Sequence, residues 1–315
     1  MKRTTARNEN DRIMKDFANL GISEVVLLGR YHYSHAHSPL KPHAHNNIIE
    51  VCLLERGAQT YVVGSTRYDL TGGDVFITQP GEVHGTGHEP EGRGRLYWLE
   101  FKVLKKGQSF LGLTPQESQT LLKRFLALPS RLFRKGDMLA PTFERILAAC
   151  ADQRNPLQKA DVRNLLLRLV LDIIAVAERQ IAQPYSAGIQ NAIRFIEREP
   201  ATWPTLTQLA RAASMSESHF KLTFKKETGM PPIEYGMWRR IEKAKHLLRV
   251  SNQPVTRIAA ELGFSTSQHF ATVFKRLTSL TPKAFRKNSH QHISDISPAI
   301  GAGPGFHPEA LSSHR

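Results

Sequence analysis

The chain has 315 residues and is 40% apolar, enough for two buried cores, and its formal net charge of +15 favours a polyanionic partner. Cys52 and Cys150 are the only cysteines and form no CxxC, which excludes a disulfide scaffold and points to reduced thiols in the cytoplasm. The longest apolar tract, 165–177, is short and interrupted by Arg168 and Asp172, so no membrane partner is expected.

Residues 1–20 open with a polar, charged stretch and are expected to form a flexible leader rather than a signal peptide. From 21 to about 110 the signals are β. Runs rich in Val, Ile, Leu and aromatics at 48–54, 59–63, 74–78 and 97–103 are separated by Gly57, Gly64, Gly72-Gly73 and Pro80-Gly81. That spacing predicts an antiparallel sandwich or small barrel. Residues 114–183 then read as a helical connector, with helices at 114–128, 136–152 and 157–183. The last has polar positions at Asn164, Arg168, Asp172 and Arg179 and is otherwise apolar, so its wide face must be covered by the rest of the chain or by a second subunit. A linker is expected at 184–186, a support helix at 189–199, a last helical turn at 282–287 and a disordered tail over 288–315.

Between 206 and 285 the chain repeats itself. The pairs are Thr207/Thr256, Ala210/Ala259, Ser216/Ser265, His219/His269, Phe220/Phe270, Phe224/Phe274, Lys225/Lys275 and Pro232/Pro282, with one residue inserted in the second turn. Each copy reads as helix, tight turn, helix. Leu206, Leu209, Ala210 and Ala213 in the first copy, and Val255, Ile258, Ala259 and Leu262 in the second, each form one apolar stripe. Thr205 with Gln208, and Ser265 with Gln268, fit capping boxes. Gly263 suits a left-handed turn residue, and Ser214 stands less comfortably at the matched place.

If Phe220/Phe224 and Phe270/Phe274 face inward, the second helix of each copy leaves an outer face free. The first copy offers Ser218, Lys221, Leu222 and Lys225 there; the second offers Ser267, Gln268, Thr272 and Lys275. Small and amide side chains near a helix N-terminus can reach base edges in a major groove, whereas Lys225 and Lys275 suit phosphates. The copies are joined by 232–250, which carries Arg239, Arg240, Lys243, Lys245 and Arg249. A helix of about 18 residues is roughly 27 Å long, a span that can set two reading helices about one DNA turn, roughly 34 Å, apart.

Over 189–287 the chain resembles the DNA-binding domain of the AraC/XylS family of bacterial transcription regulators. The resemblance rests on Ile258-Ala259, Gly263-Phe264, Phe270, Phe274-Lys275, Pro282 and Phe285. It implies an all-α, homeodomain-like double helix-turn-helix over 187–287, with base contacts from Ser218, Lys221, Leu222, Ser267, Gln268 and Thr272. Double-stranded promoter DNA, RNA polymerase and a second copy of the chain are the implied partners, with transcription activated or repressed under a small effector. Where the family often has Arg, this chain has Leu222 and Thr272; where it often has Gly, this chain has Ser279.

The N-terminal half resembles the cupin barrel. His43-x-His45-x4-Glu50-x6-Gly57 is similar to its first motif, and Gly73-x7-Gly81-x2-His84 to its second, although His37 and Pro80 depart from the pattern. Metal-binding cupins use three histidines and one carboxylate, which here implies His43, His45, Glu50 and His84, a set suited to zinc, iron, manganese, nickel or copper. Sensor domains of this kind more often carry no metal, and the same residues, with Tyr61 and Trp98, are then expected to hold a small polar effector such as a sugar. The expected fold class is therefore α+β multidomain: a cupin-like antiparallel barrel over 21–110, a helical connector at 114–183 and the all-α reading domain. No catalytic residue and no obligatory cofactor are expected, a divalent metal aside. The competing reading is a cupin metalloenzyme, a dioxygenase or isomerase, with an appended DNA-binding domain.

Overall fold

The computed structural model describes residues 10–134, 138–179, 185–198 and 204–296. Eight strands come first: β1 (Asn10–Asp16), β2 (Val25–Tyr33), β3 (Ile48–Val63), β4 (Thr66–Thr71), β5 (Asp74–Thr78), β6 (His84–Gly85), β7 (Gly94–Lys102) and, inside the connector, β8 (Leu132–Phe133). All pairings are antiparallel, in the order β1-β2-β7-β3-β5-β8. Strand β3 is one 16-residue element where two strands were expected. Its first half pairs with β5 and β7 and its second half with β4 and β6, and the β3–β7 register shifts between Leu54 and Arg56.

Period-two alternation sorts β3 into two environments. Ile49, Val51 and Leu53 join a large core built with the connector helices α1 (Pro115–Leu126), α2 (Ala140–Ala151) and α3 (Gln158–Arg179). Cys52 and Leu54 join a second cluster with Tyr31, Tyr61, Phe76 and Trp98. The wide apolar face of α3 is covered within the chain: Val162, Leu166, Leu169, Val170 and Ile173 are fully buried in the shared core. Glu144 of α2 adds a polar tie, accepting from Arg30 at 2.9 Å and from the Tyr97 hydroxyl at 2.6 Å.

Two expectations for the chain ends need correction. The leader expected over 1–20 is a strand from Asn10 to Asp16, because its backbone completes the free edge of β2 and Arg12 lies over the Trp98 ring. Residues 1–9 lie outside the described residues. The tail expected from 288 is helical as far as Ile296, since α10 runs Pro282–Ile296 and the chain has no helix breaker before Pro298. The remainder of that tail, and Pro184 of the expected linker, also lie outside the described residues.

The C-terminal part is two small helical cores joined by one long helix. The first comprises α4 (Ala187–Arg198), α5 (Leu206–Ala212), α6 (Glu217–Thr228) and the start of α7 (Pro232–Val250), around Ile189, Leu209, Phe220, Phe224 and Tyr235. The second takes the rest of α7 with α8 (Val255–Glu261), α9 (Ser267–Thr278) and α10, around Ile241, Leu248, Ile258, Phe270, Phe274 and Phe285. Among the described residues no helix is long and apolar enough to cross a membrane.

Candidate functional site

Helices α6 and α9 are positioned by the same device. Phe220, Phe224, Phe270 and Phe274 are fully buried, one turn apart in each pair, so each helix has a single inward face. The outward faces carry the residues expected to read DNA. Ser218, Lys221, Leu222, Lys225, Gln268, Thr272 and Lys275 are exposed, and Ser267 is half-exposed. Leu222 is 72% exposed, unusual for an apolar side chain unless that face has a partner.

Caps fix where these helices begin. The Thr205–Gln208 capping box forms as expected. The Ser265–Gln268 box does not: Thr266 is the N-cap of α9 and accepts from the His269 amide at 3.0 Å. The inserted residue therefore lies ahead of Thr266, whose counterpart is Ser216, the cap that accepts from His219. Gly263 has φ +69°, as expected, and Ser214 at the matched place has φ +56°, in the region that disfavours a side chain.

The C-terminal ends of α6 and α9 touch the barrel. Gly229, which caps α6, lies against Gly72 so closely that a Cβ added to it would come within 2.1 Å of the Gly72 Cα. Ser279, which caps α9 with φ +61°, donates its hydroxyl to the carbonyl of Ala36. Between them α7 docks through charge. Lys245 is 2.6 Å from Glu89 and 2.6 Å from Glu242, Arg249 pairs with Glu89, and Arg67 bridges Glu89 at 3.3 Å and Glu242 at 2.9 Å. Burial pushes the Glu89 carboxyl up, but Lys245, Arg249 and Arg67 outweigh it and hold it at about 2. Burial likewise works against the Lys245 charge, and Glu242 and Glu89 overcome it, leaving that ammonium above its ordinary range.

The basic character of α7 is thus largely turned inward. Arg239 pairs with Glu197 at 2.6 Å, Arg240 is buried over Phe264, and Lys245 and Arg249 belong to the docking cluster, while Lys243 is exposed. This cluster was not foreseen from the sequence, where Glu89 and Lys245 look like ordinary surface charges.

In the barrel, His43, His45, Glu50 and His84 come together, with one ligand atom from each lying within 4.8 Å of the others. Glu50 comes from the buried interior face of β3, and a bridge between residues 43 and 84 brings the two histidine segments side by side. His84 Nε2 is 2.9 Å from Glu50 Oε2, and His45 Nε2 is 3.9 Å from the same oxygen. Burial would raise the Glu50 carboxyl, but His84 and Cys52 together bring it below its ordinary value. Burial would lower His84, but Glu50 and the Glu82 carbonyl raise it; His45, dominated by burial, is lowered. Glu100, opposite Glu50 on β7, is pushed to about 7 by burial and by the Glu50 charge. Of the two aromatic residues expected in an effector pocket, Tyr61 reaches the cluster through Cys52, its hydroxyl 3.4 Å from Sγ, which is 3.4 Å from Glu50. Trp98 lies opposite Cys52 on β7 in the same buried cluster, packed over Gly29 and beneath Arg12.

Two family profiles match the chain: an AraC-like ligand binding domain over residues 25–170 and a helix-turn-helix domain over 209–288. The chain is 23% identical to the arabinose operon regulatory protein of Salmonella typhimurium strain LT2 over 68% of this chain and 74% of that protein. It is 26% identical to the HTH-type transcriptional activator RhaS of Escherichia coli strain SMS-3-5 over 78% of this chain and 87% of that protein. Among solved structures, ToxT from Vibrio cholerae O395 aligns at 10% identity over 82% of this chain and 96% of that chain, with a TM-score of 0.34.

Proposed function

This chain belongs to the AraC family of DNA-binding transcription regulators, and from that premise we propose how it is controlled: the barrel governs DNA reading by docking on both reading helices. The observation that carries the reading is that Gly229 and Ser279, the C-caps of α6 and α9, both contact the barrel while the outer faces of those helices stay exposed. The docked form then presents two reading faces in a fixed relation, and their ordering does not have to be supplied on binding. A ligand that favours docking raises affinity for a two-part site by its preference for the docked state.

Ser218, Lys221 and Leu222 read one major-groove segment, and Ser267, Gln268 and Thr272 the next. Lys225 and Lys275 hold phosphates. The ligand is a small effector at the histidine cluster of the barrel, a sugar being one candidate because the similar arabinose regulator carries that name. On the same footing we propose a homodimer that meets RNA polymerase at the promoter. The exposed Leu126, Leu157 and Leu171 of the connector support a surface for the second copy.

The reading is tested by measuring affinity for two-part and single-part DNA sites with the wild type and with Gly229→Ala, whose side chain collides with Gly72. Loss of the two-part advantage in the variant is expected. An undiminished advantage overturns control by docking.

A further inference from the structure

We infer that the barrel itself touches DNA: Arg56 and Arg93 grip phosphates of the minor groove that lies between the two reading segments. The inference rests on the docking reading above.

The two arginines are presented side by side. Gly57 of β3 and Gly94 of β7 are register partners just past the shift in the β3–β7 pairing, and Arg56 and Arg93 each precede one of them. The strands interlock there. A Cβ added to Gly57 would come within 2.2 Å of the Arg93 carbonyl oxygen, and one added to Gly94 within 2.0 Å of the Arg56 carbonyl oxygen. Gly57 also has φ +101°, which a side chain would strain. Buried Gln59 fastens the turn ahead of Arg93, accepting from the Gly92 amide at 2.6 Å and donating to the Pro90 carbonyl at 3.3 Å. The pair of cations therefore stands on a fixed base.

Docking brings that pair to the reading helices. Arg56 and Arg93 line a cavity of about 410 Å³ together with Lys225 of α6 and Arg276 of α9. Gln59, Met230 and Lys245, which also line it, are buried, whereas all four cations are exposed and so form its rim. Lys225 stands one turn before the α6 cap Gly229, and Arg276 three residues before the α9 cap Ser279. The rim thus spans the gap between the two helices. Its charges are available for a partner. Among the described residues Arg93, Lys225 and Arg276 have no ion pair, and Arg56 has only its Nε 3.6 Å from Glu55. Glu89 and Glu242 of the same cavity are committed to the docking cluster, which leaves Glu234 as the remaining acid against four cations.

A duplex that offers successive major-groove segments to α6 and α9 turns the intervening minor groove toward that gap, with a phosphate strand on either side. Exposed guanidinium groups suit phosphate oxygens, and such contacts add grip without base preference.

The test uses the full-length protein and a two-part duplex selected from a random pool. Arg56→Gln with Arg93→Gln should lower the salt slope by about 2, so that the affinity lost between about 50 and 200 mM salt shrinks roughly tenfold. Ethylation of the phosphates between the two blocks should block binding by the wild type and be tolerated by the double variant. Lys105→Gln with Lys106→Gln, exposed cations in the loop after β7, removes equal charge and should change neither readout. An unchanged slope in the arginine variant overturns the contact. So do spacer phosphates that tolerate ethylation in the wild type, or an equal loss from the lysine pair. In the Glu89→Gln background, where the barrel is released, the arginine substitutions should have no further effect. If Glu89→Gln binds DNA like the wild type and the arginine losses persist, docking through Glu89 fails and the contact stands.

Discussion

The Glu89 carboxylate of the barrel and the Lys245 ammonium of α7 lie 2.6 Å apart, and both side chains are more than nine-tenths hidden from solvent although they belong to different domains. Removing one partner of a buried ion pair costs about 3–5 kcal/mol because the other charge is left uncompensated. Glu89→Gln is therefore expected to release the DNA-binding domain and to weaken two-part DNA binding roughly five- to hundredfold, the range of typical coupling energies. A fluorescence titration compares the two proteins, and equal affinities would show that the contact has no bearing on DNA.

Acidification should undo the same contact. The docked Glu89 is held near 2, below its ordinary value of 4.5, so its contribution is complete above about pH 4.5 and is lost as the pH falls toward 2. Lys245, raised by Glu242 and Glu89, loses its contribution only at pH values above its ordinary 10.5. Small-angle scattering should give a constant radius of gyration from pH 6 to pH 9, as order-of-magnitude bounds set by this linkage, and expansion below about 4.5. Glu89→Gln should already be expanded at neutral pH.

Two serines in left-handed backbone should respond differently to replacement by glycine. Ser214→Gly relieves φ +56° at an exposed position, and a gain of about 0.5–1 kcal/mol in thermal unfolding is expected. Ser279→Gly relieves φ +61° but forfeits the hydroxyl bond to Ala36, so its gain should be smaller by about 1 kcal/mol. Equal gains would show that the Ala36 bond contributes nothing.

Reading and gripping should separate by substitution. Gln268→Ala is expected to cost about 1–3 kcal/mol on the preferred base pair and little on random DNA. Lys225→Ala should weaken all sequences alike and reduce the salt slope by about 1. Binding isotherms at several salt concentrations distinguish the two patterns.

The reading domain was legible because its signals are local and occur twice: the paired phenylalanines one turn apart, Gly263, and the matched prolines at Pro232 and Pro282 all fall where the structure uses them. The second cap was misplaced by one residue because Ser265 and Thr266 are both good caps and the insertion could sit on either side of them. Strand β1 was missed because NDRIMKD carries no apolar alternation; an edge strand needs only a backbone partner. The histidine cluster was legible as a set of residue types, whereas its hydrogen-bonded tautomers depend on the Lys41 and Glu82 carbonyls, which no side-chain pattern reveals. The docking cluster joins charges 156 residues apart, and nothing local distinguishes Glu89 from a solvated glutamate.

The claim on which the rest depends is that α6 and α9 read DNA together. Selection of duplexes from a random pool with the full-length protein measures this directly. Two preferred blocks about one helical turn, roughly 10 base pairs, apart are predicted, with Gln268→Ala blurring only the block that α9 reads. A single block, or two blocks that are unaffected by substitutions on either helix, would contradict it.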